Sequence, residues 1–173
     1  AKPLIAERAQ GAIILNSKNP EELVRYFKEY SPQKSNGTDL YSRVMSHQGI
    51  IVQPFLTEFS EYGERKIAVI NGEITTARKI LGSNNEIVSV HTGGKNYIYT
   101  PSLEEQELAK KVFDEFNKIH KASYVRADLV GKPGKLQINE IEALNPSFSD
   151  HKFPEETHYH NKVLSKTIES YVN

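Results

Sequence analysis

The sequence predicts an α+β protein built on antiparallel hairpins, and three observations carry that reading. Asn71-Gly72 lies between two β-type runs, 65–70 and 73–80, and Asn-Gly in that setting is the strongest short-range hairpin signal. Residues 124–129 alternate polar and apolar side chains, Gly131, Pro133 and Gly134 supply a turn, and 136–142 reads as the return strand. Between these hairpins, 101–120 has helical periodicity, with Leu108, Val112, Phe113, Phe116 and Ile119 as its apolar stripe. Ser102 followed three residues later by Glu105 forms a capping box at its start.

The other elements follow in order. Lys2-Pro3-Leu4-Ile5 and Gly11-Ala12-Ile13-Ile14-Leu15 are apolar runs joined by a polar connection from Ala6 to Gln10. Asn19 and Pro20 fit the cap and first position of a helix over 21–30, with Leu23, Tyr26 and Phe27 at core spacing. Residues 31–37 read as loop, and 40–47 fits no single period. A strand over 49–56 ends in Gln53-Pro54-Phe55-Leu56, where the proline removes a ladder donor and marks an end or an edge. Residues 58–63 form a polar connection. His91-Thr92-Gly93-Gly94 follows a short apolar run, and paired glycines let a backbone pass close to a ligand. A final helix starts at Glu155 or Glu156 and runs to Tyr171, with Val163, Leu164, Ile168 and Tyr171 as core positions. His158 and His160 stand two apart on it, a spacing that does not share a helix face and so disfavours a metal pair.

Composition narrows the function classes. The 173 residues suit one domain or two small lobes. Lys+Arg and Asp+Glu are both 22, so no general pull toward nucleic acid or a membrane surface arises, and any phosphate site must be local. The absence of cysteine excludes a disulfide framework, a thiol nucleophile and a thiolate zinc site. No apolar run approaches the roughly 20 residues of a membrane-spanning helix. The expectation is a cytoplasmic protein without nucleic-acid or membrane partners, in which a homo-oligomer is compatible with the composition. The opening Ala1-Lys2-Pro3-Leu4-Ile5 reads as a strand already entering a core, which suggests the later part of a longer chain.

The 124–142 hairpin concentrates chemistry. Arg126 and Asp128 share one strand face, and Glu140 and Glu142 share a face of the return strand with Leu136 and Ile138. A turn near Gly134 brings Asp128 opposite Glu140, with a bulge to set the register. Three carboxylates and an arginine then meet at one spot. Such a set suits a hard divalent cation, Mg²⁺ above all, held by carboxylates and substrate phosphates; the alternative is a hairpin with its charges on a wet face.

Arg126-Ala127-Asp128, Glu140-Ile141-Glu142 and the loop Ala143-Leu144-Asn145-Pro146-Ser147-Phe148 resemble the metal-binding end of an ATP-grasp ligase, where an R-x-D strand precedes an E-x-N or E-x-E strand. The ordered set resembles that family along nearly the whole chain. It comprises a Lys-Pro strand, a hinge at 53–56, an Asn-Gly-Glu hairpin, a Gly-Gly loop, a helix and the metal hairpin, and it is most similar to the glutathione synthetase-like amino-acid ligases. The resemblance implies an ATP-grasp fold of two α+β lobes with antiparallel sheets gripping ATP, a small lobe over 1–52 and a large lobe over 53–173. It implies phosphate contacts from Lys2 and from Arg78 or Lys79. Adenine would pack at Gln53, Pro54, Phe55 and Leu56, and Glu64 would act on ribose or in a structural role. It implies Asp128, Glu140 and Glu142 as ligands of Mg²⁺, or of Mn²⁺ in its place, with Glu142 or Asn145 completing the shell. Arg126 would stabilise the charge on an acyl phosphate. Two departures stand out: Glu142 replaces the usual Asn, and the 6–10 loop carries Glu7 and Arg8 where relatives are glycine-rich. The implied activity is ATP-dependent ligation of a small carboxylate to an amine or thiol, carried by the C-terminal ATP-grasp portion of a larger enzyme. The competing expectation is a nucleotide-binding or interaction module of the same fold that performs no catalysis.

Overall fold

A computed structural model describes residues 2–3, 14, 19–29, 50–82, 94–143 and 154–172. The chain divides into two compact units, one of residues 1–55 with 91–93 and one of 56–90 with 94–173. Ala6–Gln10, Gly11, the 31–49 stretch, His91–Gly93 and Asn145 lie outside the described residues.

In the first unit, β1 (Lys2–Pro3) pairs antiparallel with β2 (Ile50–Ile51), Lys2 opposite Ile51. The strand expected over 49–56 is confined to those two residues, and Gln53, Pro54 and Phe55 stand exposed. Helix α1 (Pro20–Glu29) begins at the proline as its fixed φ favours. Tyr26 is buried, whereas Phe27, expected in the core, is 50 % exposed.

The second unit is a five-stranded antiparallel sheet with two long helices. Its strands are β3 (Glu64–Ile70), β4 (Glu73–Leu81), β5 (Lys95–Ile98), β6 (Tyr124–Val130) and β7 (Gln137–Glu142), in the order β5-β4-β3-β6-β7. The short helix α2 (Glu58–Tyr62) precedes β3 where the sequence suggests only a polar connection. Asn71 and Gly72, both at positive φ (49° and 81°), close the β3–β4 hairpin, a pair of left-handed residues that matches the twist of the strands. β5 carries no alternation strong enough to be read from sequence.

The sheet has two unlike faces. Ile67 lies between Ala77 and Ala127, and Val69 lies beside Val125. With Leu129 they meet Ala109, Val112 and Phe113 of α3 (Leu103–His120) in one buried cluster. Each fully buried Val, Leu, Ile or Phe side chain there contributes about 1.5–3 kcal/mol. Ile119, expected on the helix's buried stripe, is 76 % exposed, although Phe116 before it and Ala122 after it pack against the cluster. The capping box forms: Ser102 Oγ accepts from the Glu105 N–H (3.3 Å) and the Glu105 carboxylate accepts from the Ser102 N–H (2.8 Å).

Helix α4 (Pro154–Val172) contacts β4 and β3. Among its described side chains His160 and Thr167 are buried, Val163 and Leu164 half-buried and Ile168 exposed, a more polar set than the apolar spacing suggests; the Tyr171 side chain lies outside the described residues. His158 is exposed while His160 Nδ1 lies 3.0 Å from Thr75 Oγ1, so the two imidazoles do not converge. Among the described residues no helix is long and apolar enough to cross a membrane.

Candidate active site

The opposite face of the sheet carries the charge. Lys66 stands across from Arg78 on one side and Asp128 on the other, and Ala68 from Thr76 and Arg126. On β7, Glu140 lies opposite Asp128 and Glu142 opposite Arg126. A bulge between Asp128 and Leu129 produces that register and corrects the expected alternation on β7. Ile138 pairs with Leu129 of the apolar face. Asn139, which strict alternation would point away from Glu140, donates to Glu64 Oε1 at 2.9 Å.

Asp128 is fully buried. Arg126 donates to both of its oxygens, Nε to Oδ1 at 2.7 Å and Nη2 to Oδ2 at 2.8 Å, a two-point grip that fixes the plane of the carboxylate. Arg126 Nη2 also reaches Glu142 Oε1 at 2.6 Å. Lys66 Nζ bridges Asp128 Oδ2 (2.8 Å) and Glu64 Oε2 (3.1 Å). One carboxylate oxygen from each of Asp128, Glu140 and Glu142 lies within 4.8 Å of the others. The structure thus gathers the three residues expected to hold metal, with Arg126 among them.

The pKa shifts follow from burial and from the neighbouring charges. Burial pushes the Glu64 carboxyl above its ordinary range, against the opposing pull of Lys66. Burial also raises Glu142, where repulsion from Asp128 works against attraction to Arg126. Burial would lower Lys66, yet the charges of Glu64 and Asp128 outweigh it and raise the ammonium. Arg126 is raised likewise, its desolvation being outweighed by the Asp128 hydrogen bonds and charge. By charge, the four carboxylates of Glu64, Asp128, Glu140 and Glu142 outnumber Lys66 and Arg126, the cations that bond to them. All-oxygen donors and that excess of carboxylate fit a hard divalent cation of the Mg²⁺ type.

Arg78 and Lys79, between which the sequence does not choose, point to opposite faces. Arg78 is buried beside Lys66 on the charged face. Lys79 lies opposite Arg65, with Nζ 5.8 Å from the centre of the Tyr99 ring. Glu64 is buried among Lys66 and Asn139. Leu56 is half-buried at the start of the second unit; Gln53, Pro54 and Phe55 belong to the first unit, as does Lys2 on β1.

Three positions escape the sequence reading. Lys66 carries a usable signal: Ile67 and Val69 face the core, so Lys66 must share the face of Glu64. Asn139 carries none, because its direction depends on the bulge. Arg65 has core parity and looks misplaced, yet it is buried and fully engaged. It donates to Glu105 Oε1 (2.9 Å) and to the carbonyls of Gly63 (2.8 Å) and Gly131 (2.6 Å). Gly131 sits at φ 111°, and a Cβ there would run into the Lys135 carbonyl. Glu104 accepts from the Gly134 N–H at 2.9 Å. The first turn of α3 therefore grips the turn between β6 and β7 at two points, at Gly134 directly through Glu104 and at Gly131 through Arg65.

No family model matches the chain and no curated protein matches it in sequence. Among solved structures it is similar to D-cycloserine synthetase DcsG, at 13 % identity and a TM-score of 0.64, over 94 % of this chain and 54 % of that one. It is also similar to D-alanine–D-alanine ligase from Bacillus anthracis complexed with ATP (14 % identity, TM-score 0.49, 86 % of this chain and 45 % of that one). A third is the ATP-grasp ligase PsnB complexed with a precursor variant, Mg and ADP (14 % identity, TM-score 0.40, 76 % of this chain and 44 % of that one). The chain thus spans about half the length of the solved structures it resembles. The likeness is one of fold: this is an α+β chain of ATP-grasp fold.

Proposed function

We propose that the charged face of the sheet is the metal and phosphate end of an ATP-dependent ligase site, which joins a small carboxylate to an amine or thiol through an acyl phosphate. On the order of its sequence motifs, we place it with the glutathione synthetase-like amino-acid ligases. The observation that carries the reading is the convergence of Asp128, Glu140 and Glu142 around Arg126 on a sheet of this fold.

Asp128, Glu140 and Glu142 would hold Mg²⁺, which when bound neutralises phosphate oxygens; the proposal retains Asn145 as the alternative to Glu142. Arg126 is the candidate catalytic residue. Its guanidinium is fixed by Asp128 and Glu142, so it is preorganised to stabilise negative charge that builds as the carboxylate attacks the γ-phosphate. Arg78, on the same face, is the candidate second phosphate ligand; Lys2 and residues 53–56 are retained as proposed nucleotide contacts, with the lobes dividing near 52 and 53. Arg126 spends donors on two carboxylates, and that observation favours the second reading, a nucleotide-binding module in which the guanidinium holds carboxylates in place and stabilises no reacting group.

Hydroxylamine trapping separates the two. Incubation of the full chain with ATP, Mg²⁺ and a panel of amino and hydroxy acids should give ATP-dependent hydroxamate from at least one acid, and Arg126→Met should abolish it. Nucleotide binding with no hydroxamate from any acid would favour the module.

A further inference from the structure

Asp128 carries two cations of different character. Arg126 is its neighbour on β6, grips both oxygens, and is tied a second time to Glu142. Lys66 reaches across from β3, touches only Oδ2, and keeps 22 % of its side chain exposed. Together the three hydrogen bonds occupy most of the about four lone-pair sites a carboxylate offers. A dication entering beside Asp128 meets two positive groups already in place, and charge repulsion favours the withdrawal of one. The planar, doubly anchored guanidinium is the costlier to move. The lysine is a single charge on a flexible stem, with a second carboxylate, Glu64, 3.1 Å away to receive it.

We infer that Lys66 is the exchangeable counter-ion of the metal corner: its ammonium holds Asp128 Oδ2 when no dication is bound and withdraws to Glu64 when one enters. Lys66 thereby sets the affinity for free metal. The inference rests on the metal reading of Asp128, Glu140 and Glu142, and it makes Lys66 a positioning residue whose removal tightens metal binding where a purely structural role would weaken it.

The test is Mn²⁺ binding to the full chain without nucleotide, followed by electron paramagnetic resonance of the free ion. Lys66→Met should bind Mn²⁺ at least about tenfold more tightly than the wild type, since a unit charge near a dication outweighs that factor even at high effective dielectric. Lys66→Arg, which keeps the charge, should stay near the wild-type value. A measurement on the unaltered chain stands beside these: the Lys66 ¹⁵Nζ resonance, assigned by its loss in Lys66→Arg, should shift on adding Mg²⁺. Equal Mn²⁺ affinity in wild type and Lys66→Met, lost in Glu140→Gln, with an unmoved Nζ resonance, would overturn the inference and leave the metal reading standing. No Mn²⁺ binding by any form would overturn both.

Discussion

The two faces of the large sheet each bury an arginine against a carboxylate, and they do opposite things with it. On the helix-covered face, Arg65 directs its donors to Glu105 and to the carbonyls of Gly63 and Gly131, while the second Glu105 oxygen accepts from Tyr99 (2.7 Å) and Ser102 (2.8 Å). That network is closed. Burial would raise Glu105, but the hydrogen bonds of Tyr99 and Ser102 and the charge of Arg65 hold it below its ordinary value. Tyr99 in turn is pushed up to about 12 by burial and by the bond it donates to Glu105. On the other face Arg126 and Lys66 leave Glu64 and Glu142 above their ordinary values, burial and Asp128 outweighing the cations. The same residue pair is thus a staple where every donor and acceptor is matched, and a candidate site where negative charge is left over.

The staple should fail first at Arg65. Arg65→Ala leaves the Glu105 carboxylate buried without its cation, and should cost about 3–5 kcal/mol of stability in urea unfolding. A loss under about 1 kcal/mol would mean the staple is not the tie that holds the turn between β6 and β7. The charged face should answer differently. Asp128→Asn should lower ATP turnover by about 10²–10³-fold, the scale of removing one preorganised electrostatic group. Turnover kept within a factor of a few would contradict the assignment of Asp128.

The pair that sequence parity leaves open sharpens the contrast further. If the charged face binds phosphate, Arg78→Ala should weaken nucleotide affinity by about tenfold or more, the value of a lost charge-assisted hydrogen bond. Lys79→Ala, on the staple face beside Tyr99, should change it by less than about threefold and cost at most about 1 kcal/mol of stability. Titration of both variants with one nucleotide analogue compares them directly; equal losses would say the face does not decide.

The smallest effect is one of pH. Glu105 has a lowered folded-state pKa, so its stabilisation is present above the ordinary carboxylate value of about 4.3 and is lost as pH falls through the lowered value. Wild type should exceed Glu105→Gln in stability at neutral pH, and the gap should narrow below about pH 4. A gap constant from pH 7 to 3 would show that the carboxylate charge is not what Arg65 uses.

What could be read from sequence was local. The Asn71-Gly72 turn, the Ser102/Glu105 box and the pairing of Asp128 with Glu140 depend on residues close in the chain and on turn chemistry that few residue types satisfy. What could not be read depended on register across strands distant in sequence. Asn139 reaches Glu64 only because of the bulge, and Lys66 meets Asp128 only because β3 lies beside β6. Arg65 was illegible for a different reason: a charged residue at a core position is acceptable only when a partner forty residues away supplies the counter-charge. Ile119 and Phe27 failed as core residues because periodicity says which face is apolar and not how far the neighbouring elements cover it.

On the proposed reading, the Asp128–Glu140–Glu142 corner couples a divalent cation to nucleotide binding. Its most direct test is calorimetric titration of the full chain with a non-hydrolysable ATP analogue, with and without Mg²⁺, repeated on Glu140→Gln. The account predicts binding that requires Mg²⁺ in the wild type and is lost or weakened at least about tenfold in the variant. Binding that is indifferent to both Mg²⁺ and Glu140→Gln would contradict it.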